Sequence, residues 1–216
     1  MANYTHRRCS QETEVILKKH RYWHIPVDIE TLAQEMGYRV HALERIHERT
    51  GLRGTGFLKL PEDRLEIVVD CYHYENYPYP AKFTIAEELS HLLIHEEHFR
   101  HIRTPEDRID FERNLTEEQD KEFQGQAKRY GSYFLVPNDL FLPLCEDWIA
   151  NNYNDIVKDN PQNDNELISF LAERLQHKVE ASNIVLTKVF NRYLPTGVKL
   201  IDHLIQTSTR KLITPR

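Results

Sequence analysis

The segment Lys82-Phe83-Thr84-Ile85-Ala86-Glu87-Glu88-Leu89-Ser90-His91-Leu92-Leu93-Ile94-His95-Glu96-Glu97-His98 decides how this chain is read. It follows Pro80 and holds neither Gly nor Pro, so the spacing predicts a helix over residues 82–98. Advancing 100° per residue from Glu87 puts His98 at about 20°, His91 at about 40°, His95 at about 80° and Glu88 at about 100°. Ile85, Ala86, Leu89, Leu92 and Leu93 fill an arc from roughly 140° to 260°. One face is apolar, and the other gathers Glu87, Glu88, His91, His95 and His98. A solvated polar face accounts for such a helix as well as a site does, because Glu-Glu-x-x-His is a short pattern of common residues. What surrounds the helix has to decide.

The chain has 216 residues, enough for one globular unit or one with a small appendage. A hydrophobic content of 40% can build a core, which argues against wholesale disorder. No run reaches the ~18 apolar residues of a membrane span, and Met1 to Ser10 lacks the apolar centre of a signal peptide. A soluble, cytoplasmic protein with no membrane partner is expected. The net charge of −6 removes any global pull toward nucleic acid or acidic lipid and leaves only local basic patches. Cys9, Cys71 and Cys145 are odd in number and form no CxxC, so neither a disulfide framework nor a cysteine zinc site is expected. Reduced thiols are, with Cys71 in the core at the end of an apolar run.

Before the helix, Ser10 is a candidate cap for a first helix ending near His20. Asp28 caps a second, which Gly37 stops. Residues 38–43 alternate like a half-buried strand. Residues 56–60 and 64–69 read as two strands joined by Pro61-Glu62-Asp63 in a hairpin. Tyr72 to Pro80 reads as an aromatic loop. After the helix, His101 to Glu112 is a charged connector. Thr116 with Gln119 makes a capping-box pattern that opens a further helix with Phe123, Ala127, Tyr130 and Phe134 as its core stripe, and Pro137 ends it. Residues 138–153 are helical, residues 155–166 are the best linker, and residues 167–205 return to helical patterns.

Residues 83–95 resemble the "RFTxAHELGHLLLH" helix of the ImmA/IrrE family of metallopeptidases. The likeness continues outside the helix. Ile25-Pro26-Val27-Asp28-Ile29-Glu30-Thr31-Leu32-Ala33 with Gly37-Tyr38-Arg39-Val40 is similar to that family's opening. The Gly56-Phe57-Leu58 hairpin fits its sheet. Gln124 to Pro137 resembles "E-x-x-A-x-x-F-A-x-x-L-L-M-P". Most of residues 11–137 is covered in this way. The resemblance implies an α+β fold: a zincin-like metallopeptidase core over residues 1–137, with a small β-sheet and an active-site helix. A C-terminal helical region follows over residues 138–216, helix-turn-helix-like and read as a cap.

In that family the helix carries HExxH, with two His ligands for Zn2+ and a Glu that activates the metal-bound water. A Glu from a later helix is the third ligand. Carried over by position, Glu88 matches the catalytic base and His91 the second metal ligand. Glu87 stands where the first His should be, and Gln124 where the third-ligand Glu should be. A carboxylate can bind zinc, but a neutral amide oxygen is a poor ligand. The formal ligand charge is unchanged while imidazole donation is halved, so weaker zinc affinity is expected. His95 lies one turn beyond His91, and Glu87, His91 and His95 could form a shifted site.

The resemblance further implies a cytoplasmic regulator of transcription, often tied to mobile elements, whose partner is a helix-turn-helix repressor. The departures at Glu87 and Gln124 point to a degenerate site and a protein that acts chiefly by binding. The alternatives are an active zinc metallo-endopeptidase with a rearranged site, and a DNA-binding regulator. The C-terminal helices offer Lys178, Lys188 and Arg192 for phosphates, but Glu173 and Glu180 offset them, so DNA binding is not favoured.

Overall fold

The computed structural model describes residues 4–46, 48, 56–59, 66–99, 101–102 and 104–193, with the side chains at 56–59, 105, 112 and 193 left aside. The fold is α+β and mostly helical. The chain divides into two compact units. One comprises residues 1–23 and 27–135, the other residues 24–26 and 136–216.

In the first unit, α1 (His6–Lys19) is capped by Thr5, whose side chain accepts from the Arg8 N–H, and not by Ser10, which lies inside the helix. The cap sits earlier than expected because residues 6–9 continue the helical repeat and Cys9 is buried by it. Asp28 caps α2 (Ile29–Glu35) as expected, its carboxylate accepting from Thr31 N. Strands β1 (Arg39–Leu43), β2 (Gly56–Lys59) and β3 (Glu66–Asp70) form one sheet in the order β1-β3-β2. β3 is central, parallel to β1 with Val40 opposite Ile67, and antiparallel to β2 with Leu58 opposite Ile67. The two strands of the expected hairpin do pair; the Pro61-Glu62-Asp63 turn lies outside the described residues. Ile67, Val68 and Val69 are buried in succession, as a central strand covered on both faces requires.

The aromatic segment is not a loop. Asp70 caps a short helix, α3 (Cys71–Asn76), by accepting from His73 N at 3.0 Å. Cys71 is accordingly half-buried at the start of α3 and not in the core, while Cys9 and Cys145 are buried, and none of the three forms a disulfide. The signature helix α4 (Pro78–Ile94) begins four residues earlier than expected, with Pro78 at its first turn, where a missing N–H costs nothing. It also ends earlier. The chain turns at His95 and restarts as α5 (Glu96–Phe99), which buries Phe99 and leaves His98 exposed. The expected connector is largely helical, α6 (Pro105–Asn114).

Helix α7 (Glu117–Leu135) opens with the expected capping box: Gln119 N donates to Thr116 Oγ1 at 3.2 Å, and Thr116 N to Gln119 Oε1 at 2.9 Å. Its stripe of Phe123, Ala127, Tyr130 and Phe134 is buried. Tyr130 Oη donates to Glu12 Oε2 at 3.2 Å and Arg129 donates to the Tyr4 carbonyl at 2.7 Å, which ties α7 to the N-terminal helix.

Helix α4 packs against β3 and α7 and is buried on most of its circumference, Glu88, Ser90 and His91 included. The close approach of α4 and α7 is made at Gly131. A Cβ built there would lie 2.9 Å from the carbonyl carbon and oxygen of Ala86 and 3.0 Å from the Glu87 nitrogen. Backbone atoms cannot move aside, so only Gly fits.

The second unit contains α8 (Asn138–Asn151), α9 (Tyr153–Asp159), α10 (Asp164–Val179) and α11 (Asn183–Tyr193). The expected linker is half helix: α9 occupies its first part, Asn160 in the left-handed region ends that helix, and Asn163 caps α10. The helical pattern expected beyond residue 193 lies outside the described residues. Leu171, Leu175, Leu186 and Val189 form part of this unit's core.

Gly131→Val is expected to lower stability by about 1–3 kcal/mol or more through overpacking. Gly125→Ala, on the same helix with nothing within 4 Å of the new methyl, should raise it by about 0.5–1 kcal/mol through helix propensity. Denaturation midpoints in urea check both.

Candidate functional site

Four of the residues singled out in the sequence meet where α4 crosses α7. His91 is 1% exposed and His95, which closes α4, is 3% exposed. Gln124 on α7 reaches His91, its Oε1 lying 3.3 Å from His91 Nε2. Glu87 is half-buried and forms an ion pair with Lys128 on α7, Nζ to Oε1 3.7 Å. Glu88 lies on the buried side of α4. The five titratable groups of the expected polar face are therefore not solvated together: three are buried, Glu87 is half-buried, and His98 is separated from the rest by the turn at His95.

The polar atoms form one chain of hydrogen bonds. Gln126 Nε2 donates to the Glu122 carboxylate at 3.0 Å, which leaves Gln126 Oε1 to accept from His95 Nε2 at 3.2 Å. His95 Nδ1 is then the unprotonated nitrogen and accepts from His91 Nδ1–H at 3.0 Å. That tautomer turns the lone pair of His91 Nε2 toward Gln124. With the imidazole neutral, the contact is a hydrogen bond when the Gln124 amide presents its –NH2 to that nitrogen. His95 thus acts as the acceptor that orients His91. Both of its ring nitrogens are occupied, so the shifted triad of Glu87, His91 and His95 is not assembled.

Aromatic rings enclose these imidazoles. Phe123 stacks on His95 with centroids 3.9 Å apart and planes 17° apart, and Phe99 meets His91 edge-on at 5.6 Å. Arg108, buried on α6, lies with its guanidinium 4.9 Å from the Phe99 ring centroid. Burial holds His91 well below the usual imidazole value; the Arg108 charge adds to this, then His95, and Lys128 adds a smaller share. Burial lowers His95 to about 4, against the opposing hydrogen bond from Gln126. Both rings are neutral at pH 7.

A zinc centre needs more than the right spacing. The 3.3 Å between His91 Nε2 and Gln124 Oε1 is close to the edge of a zinc tetrahedron, about 3.3 Å for 2.0–2.1 Å bonds. The chemistry does not fit. One donor is a neutral amide, the carboxylate of Glu87 already has an ammonium for a partner, and the Arg108 and Lys128 charges that depress His91 would oppose a dication equally. Among the described residues, no group of three or more His, Cys, Asp or Glu side chains is arranged to hold a metal ion.

Sequence reading missed Lys128, Gln126, Glu122 and Arg108. Lys128 had a signal: it lies four residues after Gln124, on the same helix face. The other three had none, because nothing local says that a Gln or an Arg will turn inward.

Compared with models of known protein families the chain matches none, and no curated protein is significantly similar to it. Among the described residues no helix is long and apolar enough to cross a membrane.

The depressed His95 value has a sign that can be worked out. Above the ordinary value of 6.5 the imidazole is neutral in both folded and unfolded chains. Between 6.5 and about 4 the unfolded chain takes up a proton that the folded one refuses. Stability should therefore fall as pH drops through that window, with His91 adding to the slope. Urea midpoints between pH 7 and pH 4 check this, and His95→Gln, which cannot titrate, should flatten the profile.

Proposed function

We propose that this chain is a zincin-like scaffold whose peptidase centre is degenerate, and that it acts chiefly by binding a protein partner, a helix-turn-helix transcriptional repressor. The observation that carries the first half is the pairing of Glu87 with Lys128. Where the family's pattern has an imidazole that donates to zinc, this chain has a carboxylate neutralised by an ammonium. Gln124, in the place of the anionic third ligand, completes the change. Support for the scaffold comes from the order of elements: a sheet, then the long helix with Glu88 and His91 on its buried side, then a helix that brings Gln124 to His91. The repressor partner follows from the family resemblance of residues 11–137.

A residual peptidase activity would need Glu88 as base and a metal on His91. Elemental analysis of the purified protein is expected to find well under one zinc per chain after dialysis against a chelator. Stoichiometric zinc that resists dialysis would overturn the reading, as would cleavage of a repressor that a chelator and Glu88→Gln each abolish. Restoring the family's donors by Glu87→His and Gln124→Glu should bring zinc binding back fully only when Lys128→Ala removes the competing ammonium.

A second reading has one observation in its favour. Helices α10 and α11 are joined by the three-residue turn Glu180-Ala181-Ser182, and among the described side chains of α11 the exposed ones are Asn183, Ile184, Lys188 and Asn191, with no carboxylate among them. This is the composition of a helix that reads a DNA groove. It predicts duplex binding that weakens with salt and with Lys188→Ala. No binding at low salt disposes of it.

A further inference from the structure

Helix α3 buries none of its side chains. Three of the large apolar residues exposed among the described residues fall within six positions here: Tyr72 is 64% exposed, Tyr77 47% and Tyr74 36%. The rings are held in place. Tyr72 and Tyr77 meet edge-to-face with centroids 6.0 Å apart, and Tyr74 Oη donates to Glu30 Oε2 at 2.6 Å. Exposed tyrosines that are already ordered lose little entropy on binding, which makes them good anchors. Carboxylates lie nearby, and the His73 ring packs on Tyr77 with centroids 5.2 Å apart. Glu75 is exposed on α3, Asp70 caps it, and Glu30 lies beside Tyr74. π-faces fringed by carboxylates attract a cation twice, through the ring quadrupole and through charge.

From this arrangement we infer that the α3 face is a docking surface for an arginine-bearing segment of a protein partner. Guanidinium groups would stack on Tyr72 and Tyr77 and pair with Glu75. The fringe of carboxylates works against single-stranded nucleic acid, the other ligand that stacks on tyrosine, by repelling its phosphates. The inference uses no feature of the His91 pocket, so it can fail or stand independently of the zinc measurement above.

Fluorescence polarisation of a labelled hexa-arginine peptide titrated with the full chain tests it. Saturable binding is expected, about tenfold weaker for Tyr72→Ala with Tyr77→Ala, a change that leaves the net charge untouched. Glu75→Gln should also weaken it, and Glu173→Gln, in the other unit, should not. Ring-proton shifts of Tyr72 and Tyr77 on adding peptide to the unaltered protein give a readout that needs no variant. Three results would each overturn the inference: no binding, equal losses for Glu75→Gln and Glu173→Gln with the tyrosines indifferent, or preference for an oligo-dT strand over the peptide.

Discussion

The backbones of α4 and α7 touch at Gly131, and the candidate site depends on that contact. Two helices pack closest where one lacks a side chain, and here the missing Cβ lets α7 settle against Ala86 and Glu87. The partners then run in opposite order along the two helices. Lys128 meets Glu87, and Gln124 meets His91 one turn further along α4. Without the close approach, the side chains of α7 would stand too far out to reach either group. The site is thus a consequence of packing, and its polar contacts are the ones this packing leaves available.

Burial then sets the chemistry. An imidazole inside a cluster of Phe99, Phe123 and Arg108 cannot hold a proton at pH 7, because charge is costly in that environment and a fixed guanidinium stands nearby. Neutral rings need hydrogen-bond partners, and the chain from Glu122 through Gln126, His95 and His91 to Gln124 supplies them. The same satisfaction makes the pocket a poor metal centre. The Glu87 carboxylate beside it is paired with the Lys128 ammonium, and the Gln124 amide is neutral.

Much of the fold was legible locally. The Thr116–Gln119 capping box, the Asp28 cap and the stripe from Phe123 to Phe134 each depend on residues a few positions apart, so their signal is complete within the sequence; the alternation expected in β1 did not appear as alternating burial. The errors share a cause. The Tyr72–Pro80 segment looked like a loop because Tyr, Asn and Pro are turn residues, yet an Asp70 cap and a Pro78 start make it two helices. The helix looked amphipathic because its polar groups share one arc, but Glu88, His91 and His95 on that arc are buried, and Glu87 and His91 meet Lys128 and Gln124 of α7. Periodicity reports which residues share a face; it does not report what covers the face.

By itself the sequence determined the helix that carries Glu87, Glu88 and His91, and its register, because spacing along a helix is a local property. Only the tertiary structure decided that His95 orients His91, and that Lys128 pairs with Glu87. Those outcomes depend on the tautomer chosen by Gln126 and on the distance between two helices. Both come from contacts between side chains roughly 30–40 positions apart in the chain.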